Sequence, residues 1–469
     1  MIRPSCWRFA AVLLVGLVCG IVGAGLSPAI AVPPDGTMAI GVHVTLVSRW
    51  LDPAETEALI TPFMVLYALH DGLVKPMPGG INTPSLAESW TVSKDGITYE
   101  FVLRKGAKFH NGDPVTAEDV KFSYERYKGS GAGLLREKVK DVQVVAPNRV
   151  RFVLKEAWPD FMSFYGTSAT GAGWIVPKKY VEKVGDDGFK KSPVGAGPYK
   201  FVSFNPGVEL VLEAFPEYWR KAPSVKRLVM RSIPDEATRA ASVRTGEVDI
   251  AYLFTGPTAE QLRRAPGMKV VAPLVYGVYW LDFLDQWDPK SPWHDRRVRL
   301  AASLAIDRPA LNQAEMLGMG KLTGAFVPEE VGGFLGGIGI RTRVRTMERA
   351  TFLSSWREKK IKGLLIGATG AAGNAAARLE PFFTKGGIYA YGSLPEIDDL
   401  FQRQAKELDR KQREAHLHHI QRIVSDRVLV APLFQQGFIW GVGPRVEVAA
   451  AGLIQGYPYV GPAEDLKLR

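Results

Sequence analysis

The side chains able to do chemistry are few and scattered. Three histidines crowd one stretch, His416, His418 and His419. His416 and His419 stand three residues apart, a spacing that puts two imidazoles on one face of a helix and suits a transition metal. Arg413, Glu414 and Arg422 surround them, which is the pattern of a solvated helix face, so no metal site is expected. Arg341, Arg343 and Arg345 alternate along one predicted strand. Facing a cleft, such a row pairs with carboxylates or phosphate. Facing water, it keeps a sheet edge from aggregating. His110 lies in a polar turn and is expected as a turn residue, not a ligand. The inventory of nucleophiles is poor. There is no Gly-x-Ser-x-Gly elbow and no His-Glu-x-x-His pair. The only two cysteines are Cys6 and Cys19. No catalysis is expected.

Both cysteines fall in an unusual first segment. Arg3 and Arg8 precede an uncharged run from Phe9 to Leu26, which ends at Ser27-Pro28 and the small residues of Ala29-Ile30-Ala31. This three-part layout predicts a secretory signal over residues 1–31 and a periplasmic destination. The remaining chain carries no thiol, so its core alone must stabilise it. The net charge of +11 falls to +9 once Arg3 and Arg8 are removed. The basic residues do not interleave with aromatics as in a nucleic-acid groove, so no nucleic-acid partner is expected. With 469 residues, 46% hydrophobic and 23% charged, the chain is long enough for two lobes with real cores. Its composition excludes a disordered chain or a multi-span membrane protein.

The elements that must position any site alternate between strands and helices. Thr98–Leu103 has period two, with Tyr99, Phe101 and Leu103 on one face, and Val150, Phe152 and Leu154 repeat it. Between them Thr116–Tyr127 predicts a helix capped by Thr116, with Asp119 three residues later. Asp235–Gly246 predicts another, followed by a strand over Val248–Tyr252. Asp295–Ala305 predicts a helix with Val298, Ala302 and Ala305 inward. Ile397–Leu408 and Leu417–Val424 predict two more, and Val428-Leu429-Val430 a buried strand. The pattern is mixed α/β, with sheets covered by helices.

Three blocks carry a resemblance. Leu86-Ala87-Glu88-Ser89-Trp90 leads through Asp95–Phe101 into Leu103–Val120, which contains Lys108-Phe109-His110-Asn111-Gly112-Asp113-Pro114-Val115-Thr116. Val194-Gly195-Ala196-Gly197-Pro198-Tyr199 is the second block. Arg296–Arg308, ending Ala305-Ile306-Asp307-Arg308, is the third. In this order they resemble the extracellular solute-binding proteins that include dipeptide, oligopeptide and nickel receptors of ABC importers. The resemblance implies a two-lobed periplasmic-binding-protein fold of class II, the large type with an extra subdomain in lobe I. It places lobe I at 32–275 with an inserted subdomain at about 60–190, lobe II at 276–434, and a C-terminal return to lobe I at 435–469. Two crossings, near Val275–Val278 and Gln435–Gly437, would form the hinge. Closure would trap a small solute, peptide or peptide-like, for delivery to a membrane permease and its ATPase; the alternatives are a solute-sensing or chaperone-like binding protein of the same fold, or a receptor for nickel or a metal complex. A monomer without cofactor is implied.

The chain departs from the family pattern in lobe II. Val327-Pro328-Glu329-Glu330 runs straight into Val331–Ile340, several dozen residues short of the family's course. Lobe II should therefore be shortened, with part of its sheet edge uncovered. Peptide-binding members often hold the ligand's amine with an aspartate in a Gly-Trp-x-x-Asp-like loop. The matching loop here is Gly367-Ala368-Thr369-Gly370-Ala371-Ala372-Gly373-Asn374, in which Ala371 stands where the acid would be. A buried ammonium needs a partner charge, so a solute held by a free amino terminus is not expected. The residues expected to line the cleft are Thr369, Gly370, Ala371 and Asn374 of this loop, Trp50 in the turn Trp50-Leu51-Asp52-Pro53, Tyr276 and Tyr279 beside the first crossing, and Trp440 after the second. Aromatics there can stack on a solute and orient it by their polar edges.

Overall fold

The computed structural model describes residues 33–56, 61–166, 170–324, 347, 349–369, 375–459 and 461–469. The predicted export segment and the row Arg341, Arg343 and Arg345 lie outside them. The chain opens with strand β1 (Asp35–Val42) and the buried helix α1 (Phe63–Leu69). An antiparallel sheet follows, built from β2 (Ala87–Val92), β3 (Thr98–Leu103), β4 (Val139–Ala146) and β5 (Arg149–Leu154), in the order β2-β3-β5-β4. The period-two faces pair as their pattern requires: Tyr99 lies opposite Phe152 and Phe101 opposite Val150. Helices α2 (Ala117–Arg126), α3 (Phe161–Tyr165) and α4 (Lys178–Lys191), with a further short helix at Ala132–Lys138, belong to this part. Its core gathers Phe101, Phe109, Phe152, Phe161 and Tyr165.

Strands β6 (Tyr199–Asn205), β7 (Glu209–Ala214) and β8 (Val225–Ser232) bring the chain back beside β1. Helix α5 (Glu236–Thr245), β9 (Ile250–Tyr252) and β10 (Lys269–Val271) extend the same sheet. A second sheet then begins with β11 (Leu274–Phe283). Helices α6 (Arg296–Leu304) and α7 (Arg308–Met316), strands β12 (Lys321–Leu322) and β13 (Leu364–Thr369), and helices α8 (Ala375–Phe383), α9 (Pro395–Lys406) and α10 (Arg410–Asp426) follow, before β14 (Val430–Gly437) and β15 (Trp440–Val442). The first sheet has seven strands in the order β6-β7-β8-β1-β9-β15-β10. Strand β1 runs parallel to β8 and β9, and β15 runs antiparallel to both its neighbours. The other sheet has four strands in the order β12-β14-β11-β13, all antiparallel. Its two faces are covered by separate clusters, one around Trp280, Trp356, Leu379 and Ile420, the other around Phe283, Ala302 and Ala431. Among the described residues β13 is an edge, and Ile366 on it is 60% exposed.

The three resembling blocks turn out to be fasteners. The Thr116 N–H and hydroxyl both donate to the Asp119 carboxylate, at 2.8 and 2.6 Å, and the other carboxylate oxygen accepts from the Lys178 N–H at the start of α4. The His110 ring joins block one to block two. Its Nδ1 accepts from the Gly195 N–H at 3.2 Å, so its Nε2 carries the proton and donates to the Gly197 carbonyl at 2.9 Å. Burial pushes this histidine down to about 3. Gly195 has no room for a side chain: a Cβ there would sit 1.9 Å from the Leu69 carbonyl oxygen. In block three Arg308 donates to the carbonyls of Pro432 and Ser303 at 2.6 and 2.9 Å.

Two expectations need correcting. In α6 the buried residues are Arg299 and Ala302, and Val298 is only half-buried. Arg299 goes inward because it has four carbonyls to satisfy: Nε donates to Val428, Nη1 to Trp293 and His294, and Nη2 to Arg427. The strand expected at Val428 starts at Val430. Val428 has a φ of 49°, the left-handed turn by which the chain leaves α10.

Candidate functional site

Two passing segments of chain join the two sheets. The chain leaves the seven-stranded sheet at Val271 and enters the four-stranded one at Leu274, and returns between Gly437 and Trp440. The Phe438 N–H donates to the Pro273 carbonyl at 2.9 Å, so the two passing segments are bonded to each other. The Gln435 amide donates to the Val275 carbonyl at 2.7 Å. The stretches Val275–Val278 and Gln435–Gly437 form the irregular part of the β11–β14 pair, where Leu274 faces Gly437 and the next partners are Val278 and Gln435. The change of sheet itself lies just outside them, at 272–273 and 438–439.

The junction lies at the carboxyl edge of the parallel strands. Tyr252 ends β9 and pairs with Trp440, which also pairs with Val271. In open α/β sheets that edge is where ligands bind, beyond the strand ends.

Trp50 sits on a 3-10 turn (Ser48–Leu51), half-buried against the core of the seven-stranded sheet. The next residue but one fixes the turn. The buried Asp52 carboxylate accepts from the Ala54 N–H at 3.0 Å and from both terminal nitrogens of Arg126 at 2.7 and 2.5 Å. Arg126 also donates to Asp186 in α4 at 3.0 and 2.8 Å. The indole N–H of Trp50 is shielded from solvent and has no hydrogen-bond partner among the described residues. Tyr276 packs flat against Gly456, where a Cβ would come 2.1 Å from the ring, and meets Tyr457 edge to face at 6.2 Å. Gly456 also takes a φ of 79°, so glycine is required there twice over. Tyr279 tilts against Phe434 at 5.2 Å, and burial raises its phenol.

Thr369 closes β13 opposite Val278, and Ala368 pairs with Tyr279, so the expected loop starts beside Tyr279. Gly370, Ala371 and Asn374 lie outside the described residues. Trp440 departs from its expected role. It is only 5% exposed, and its ring packs on Tyr252 at 4.8 Å within the sheet's own core. Its faces are taken by the protein, which leaves no face for stacking a solute. What remains is its buried indole N–H, without a hydrogen-bond partner among the described residues.

A further aromatic group lies beside these, outside the residues expected to line the cleft. His43, just past β1, stacks on Tyr459 at 5.2 Å with an 18° interplanar angle, and the Tyr459 oxygen lies 3.1 Å from His43 Nε2. Phe438 meets Tyr459 edge to face at 4.6 Å. His43 and Tyr459 lie 416 residues apart, so no spacing signal could link them. Only the position of His43 after an apolar strand was available as a hint.

Charged groups near the junction are engaged. Asp52 holds Arg126, and Arg239 spends its guanidinium on the carbonyls of Ile233, Pro234, Tyr252 and Leu253. Glu236 accepts from the N–H and hydroxyl of Thr255 at 2.8 Å. The sequence from 367 to 377 carries no charged side chain. The described part of the site can thus offer aromatic faces and neutral donors, with no nucleophile–base pair. On α10, His418 and His419 are exposed and His416 is half-buried. Among the described residues no group of three His, Cys, Asp or Glu side chains could hold a metal. A shallow open depression occurs elsewhere, on the solvent face of the β2–β5 sheet, lined by Thr91, Ser93, Glu100 and Arg151 among others.

Comparison with known proteins agrees with this geometry. The model of "Bacterial extracellular solute-binding proteins, family 5 Middle" matches residues 83–337. The chain is 28% identical over 315 residues to the probable D,D-dipeptide-binding periplasmic protein DdpA of Escherichia coli K12, covering 64% of this chain and 60% of that protein. It is 30% identical over 253 residues to the glutathione-binding protein GsiB of Escherichia coli O157:H7, covering 52% and 48%. The chain thus spans about 60% or less of the length of these curated relatives. Among solved structures it resembles the ABC transporter substrate-binding protein CtaP of Listeria monocytogenes, with a TM-score of 0.79 at 18% identity, covering 93% of this chain and all of that one. NikA from Brucella suis, in complex with Fe(III)-EDTA, gives 0.77 at 18% identity, covering 93% and 100%. These likenesses show the fold, that of the two-lobed periplasmic binding proteins.

Proposed function

Because the chain belongs to the bacterial extracellular solute-binding proteins, family 5, we propose that it is the solute-capturing component of an ABC importer. The observation that carries this is the junction: two sheets with separate cores, joined by two adjacent segments and flanked by aromatics at a carboxyl strand edge. Such an arrangement lets two lobes close on a solute by rotation about the joined segments. Lobe I comprises residues 32–275 and 435–469, with the inserted subdomain at about 60–190, and lobe II comprises 276–434. Lobe II is a shortened version of its family counterpart, which agrees with the exposure of Ile366 on β13. Residues 1–31 direct export, and capture takes place outside the cytoplasm. The closed form presents its surface to a membrane permease driven by an ATPase. No bond is made or broken.

The solute is peptide-like and is not gripped by a free amino terminus. Trp50, Tyr276 and Tyr279, with Thr369, Gly370, Ala371 and Asn374, form the contact surface. The uncharged sequence at 367–377 supports this, since a buried ammonium left without a counter-charge costs several kcal/mol. The test is a thermal-shift screen of dipeptides, tripeptides, their N-acetylated forms, opines and nickel salts, followed by calorimetry. A solute present at a hundredfold excess over its Kd stabilises the protein by about 2.7 kcal/mol. The expected hit binds equally well with its amine blocked. Micromolar binding of free peptides that N-acetylation abolishes would overturn the assignment of solute class. Turnover of any solute would overturn the transport role itself.

A further inference from the structure

Away from the junction, a polar contact joins the core of the β2–β5 sheet to the core of the four-stranded sheet. Asp160 immediately precedes α3, whose Phe161, Met162 and Tyr165 belong to the core of the β2–β5 sheet. Arg413 lies in the first turns of α10, whose Leu417, Ile420 and Val424 belong to the core of the four-stranded sheet. The Arg413 guanidinium donates to the Asp160 carboxylate as an ion pair, and its Nε donates to Gln404 Oε1 in α9 at 3.2 Å. The pair is shielded, with side chains 16% and 17% exposed, and Gln404 is 1% exposed. Beside it the α9–α10 connection lays Leu408 on the β2–β3 turn. A Cβ at Gly96 would come 2.8 Å from Leu408 Cδ2 and 3.5 Å from Ala157 Cβ. Glycine at 96 therefore leaves the space that Leu408 fills.

We propose that Arg413 and Asp160, backed by Gln404 and Leu408, form a latch that holds lobe II against the inserted subdomain in the closed protein. The inference rests on the two-lobe reading above. Three features distinguish a latch from ordinary surface ion pairing. The partners sit on helices anchored in different cores, so the pair cannot persist if those cores separate. The contact consists of one ion pair and one leucine side chain laid on a turn, with no backbone hydrogen bond in it, so it is reversible. Gln404, itself buried, holds Arg413 in place, which reduces the entropy lost on closing. A charge-assisted hydrogen bond that forms in only one of two states shifts their ratio by roughly tenfold.

The experiment needs no solute. Residues 32–469 contain no cysteine, so Lys94→Cys and Lys411→Cys on the exported protein accept paired spin labels selectively. Both lysines are exposed and neither belongs to the latch. Pulsed dipolar spectroscopy then reads the distance between the β2–β3 turn and α10. The wild type should show a short-distance population. Arg413→Met and Asp160→Asn should each lower the short-to-long ratio by about tenfold. The swapped pair, Arg413→Asp with Asp160→Arg, should recover most of it, which a folding defect would not do. An unchanged short population in both single variants overturns the latch, as does a swapped pair no better than either single variant. A wrong solute assignment leaves this measurement untouched. One fixed distance in every variant would overturn the latch and the hinged reading together.

Discussion

At the scale of the residue, the most informative side chains are arginines that spend their charge on backbone. Arg239 in α5 and Arg299 in α6 each donate to four carbonyls, and each follows its helix's capping aspartate, Asp235 or Asp295, by four positions. Arg239 holds Ile233 and Pro234 ahead of its helix and Tyr252 and Leu253 at the end of β9. Arg299 holds Trp293 and His294 ahead of its helix and Arg427 and Val428 ahead of β14. The same device thus fastens a helix to a strand end in both lobes. Replacing Arg299 by methionine keeps the volume and strands four carbonyls, so urea unfolding should show a loss of about 3 kcal/mol or more. Hydrophobic periodicity hid this, because a pattern that counts arginine as outward assigns Val298 the buried place.

Buried histidine sets the acid limit. His70 is fully buried and its Nε2 lies 2.9 Å from the Leu51 carbonyl. Burial lowers its pKa to about 4, against 6.5 in the unfolded chain. Between those values the unfolded chain binds a proton that the folded chain does not. His70 should therefore contribute a fall in stability of about 1.4 kcal/mol for each pH unit below 6.5, down to about pH 4, and His110, which burial lowers to about 3, should add a similar slope over the same range. Denaturation midpoints measured from pH 7 to 4.5 check this, and His70→Gln should roughly halve the slope of the two histidines, leaving the part due to His110.

At the scale of the element, capping was the most legible signal. Thr116, Asp235 and Asp295 start their helices where the sequence places them, and Gly246 ends α5 in the left-handed conformation. Local chemistry decides such boundaries, so local sequence reveals them. The turn that carries Trp50 is different. Nothing near Asp52 announces that Arg126, 74 residues later, will close on it. That pair ties the turn to α2, and Asp52 has no exposed side-chain surface. Removing one partner of such a pair leaves a buried charge, so Arg126→Ala should cost about 3–5 kcal/mol. It should also weaken solute binding by loosening Trp50. Calorimetry and denaturation of the same variant separate the two effects, and Trp50→Phe, which keeps most of the packing but removes the indole N–H, should lower affinity with little loss of stability.

At the scale of the whole molecule, the architecture depends on a late strand. β15 (Trp440–Val442) lies between β9 and β10, so the seven-stranded sheet is incomplete until the last residues are made. Beyond it, buried Glu464 accepts from Arg220 at 2.6 Å. A chain ending at Gly437 should therefore be protease-sensitive throughout, read by limited proteolysis against the full chain. The family blocks revealed the fold from sequence because they are its fasteners. The site was less legible, because its aromatics are gathered from distant stretches of chain: His43 and Trp50 from one end, Tyr276 and Tyr279 from the middle, Tyr457 and Tyr459 from the other end. Trp440 shows the cost of reading one residue at a time, since an aromatic beside a crossing can equally be core.

The bond from the Phe438 N–H to the Pro273 carbonyl has a mechanical meaning. Two separate tethers would let one half swivel, slide and twist against the other. Tethers stitched together side by side behave as a single pin, which leaves one angle free. Any probe placed anywhere on the moving half should then report the same opening coordinate, differing only by its lever arm.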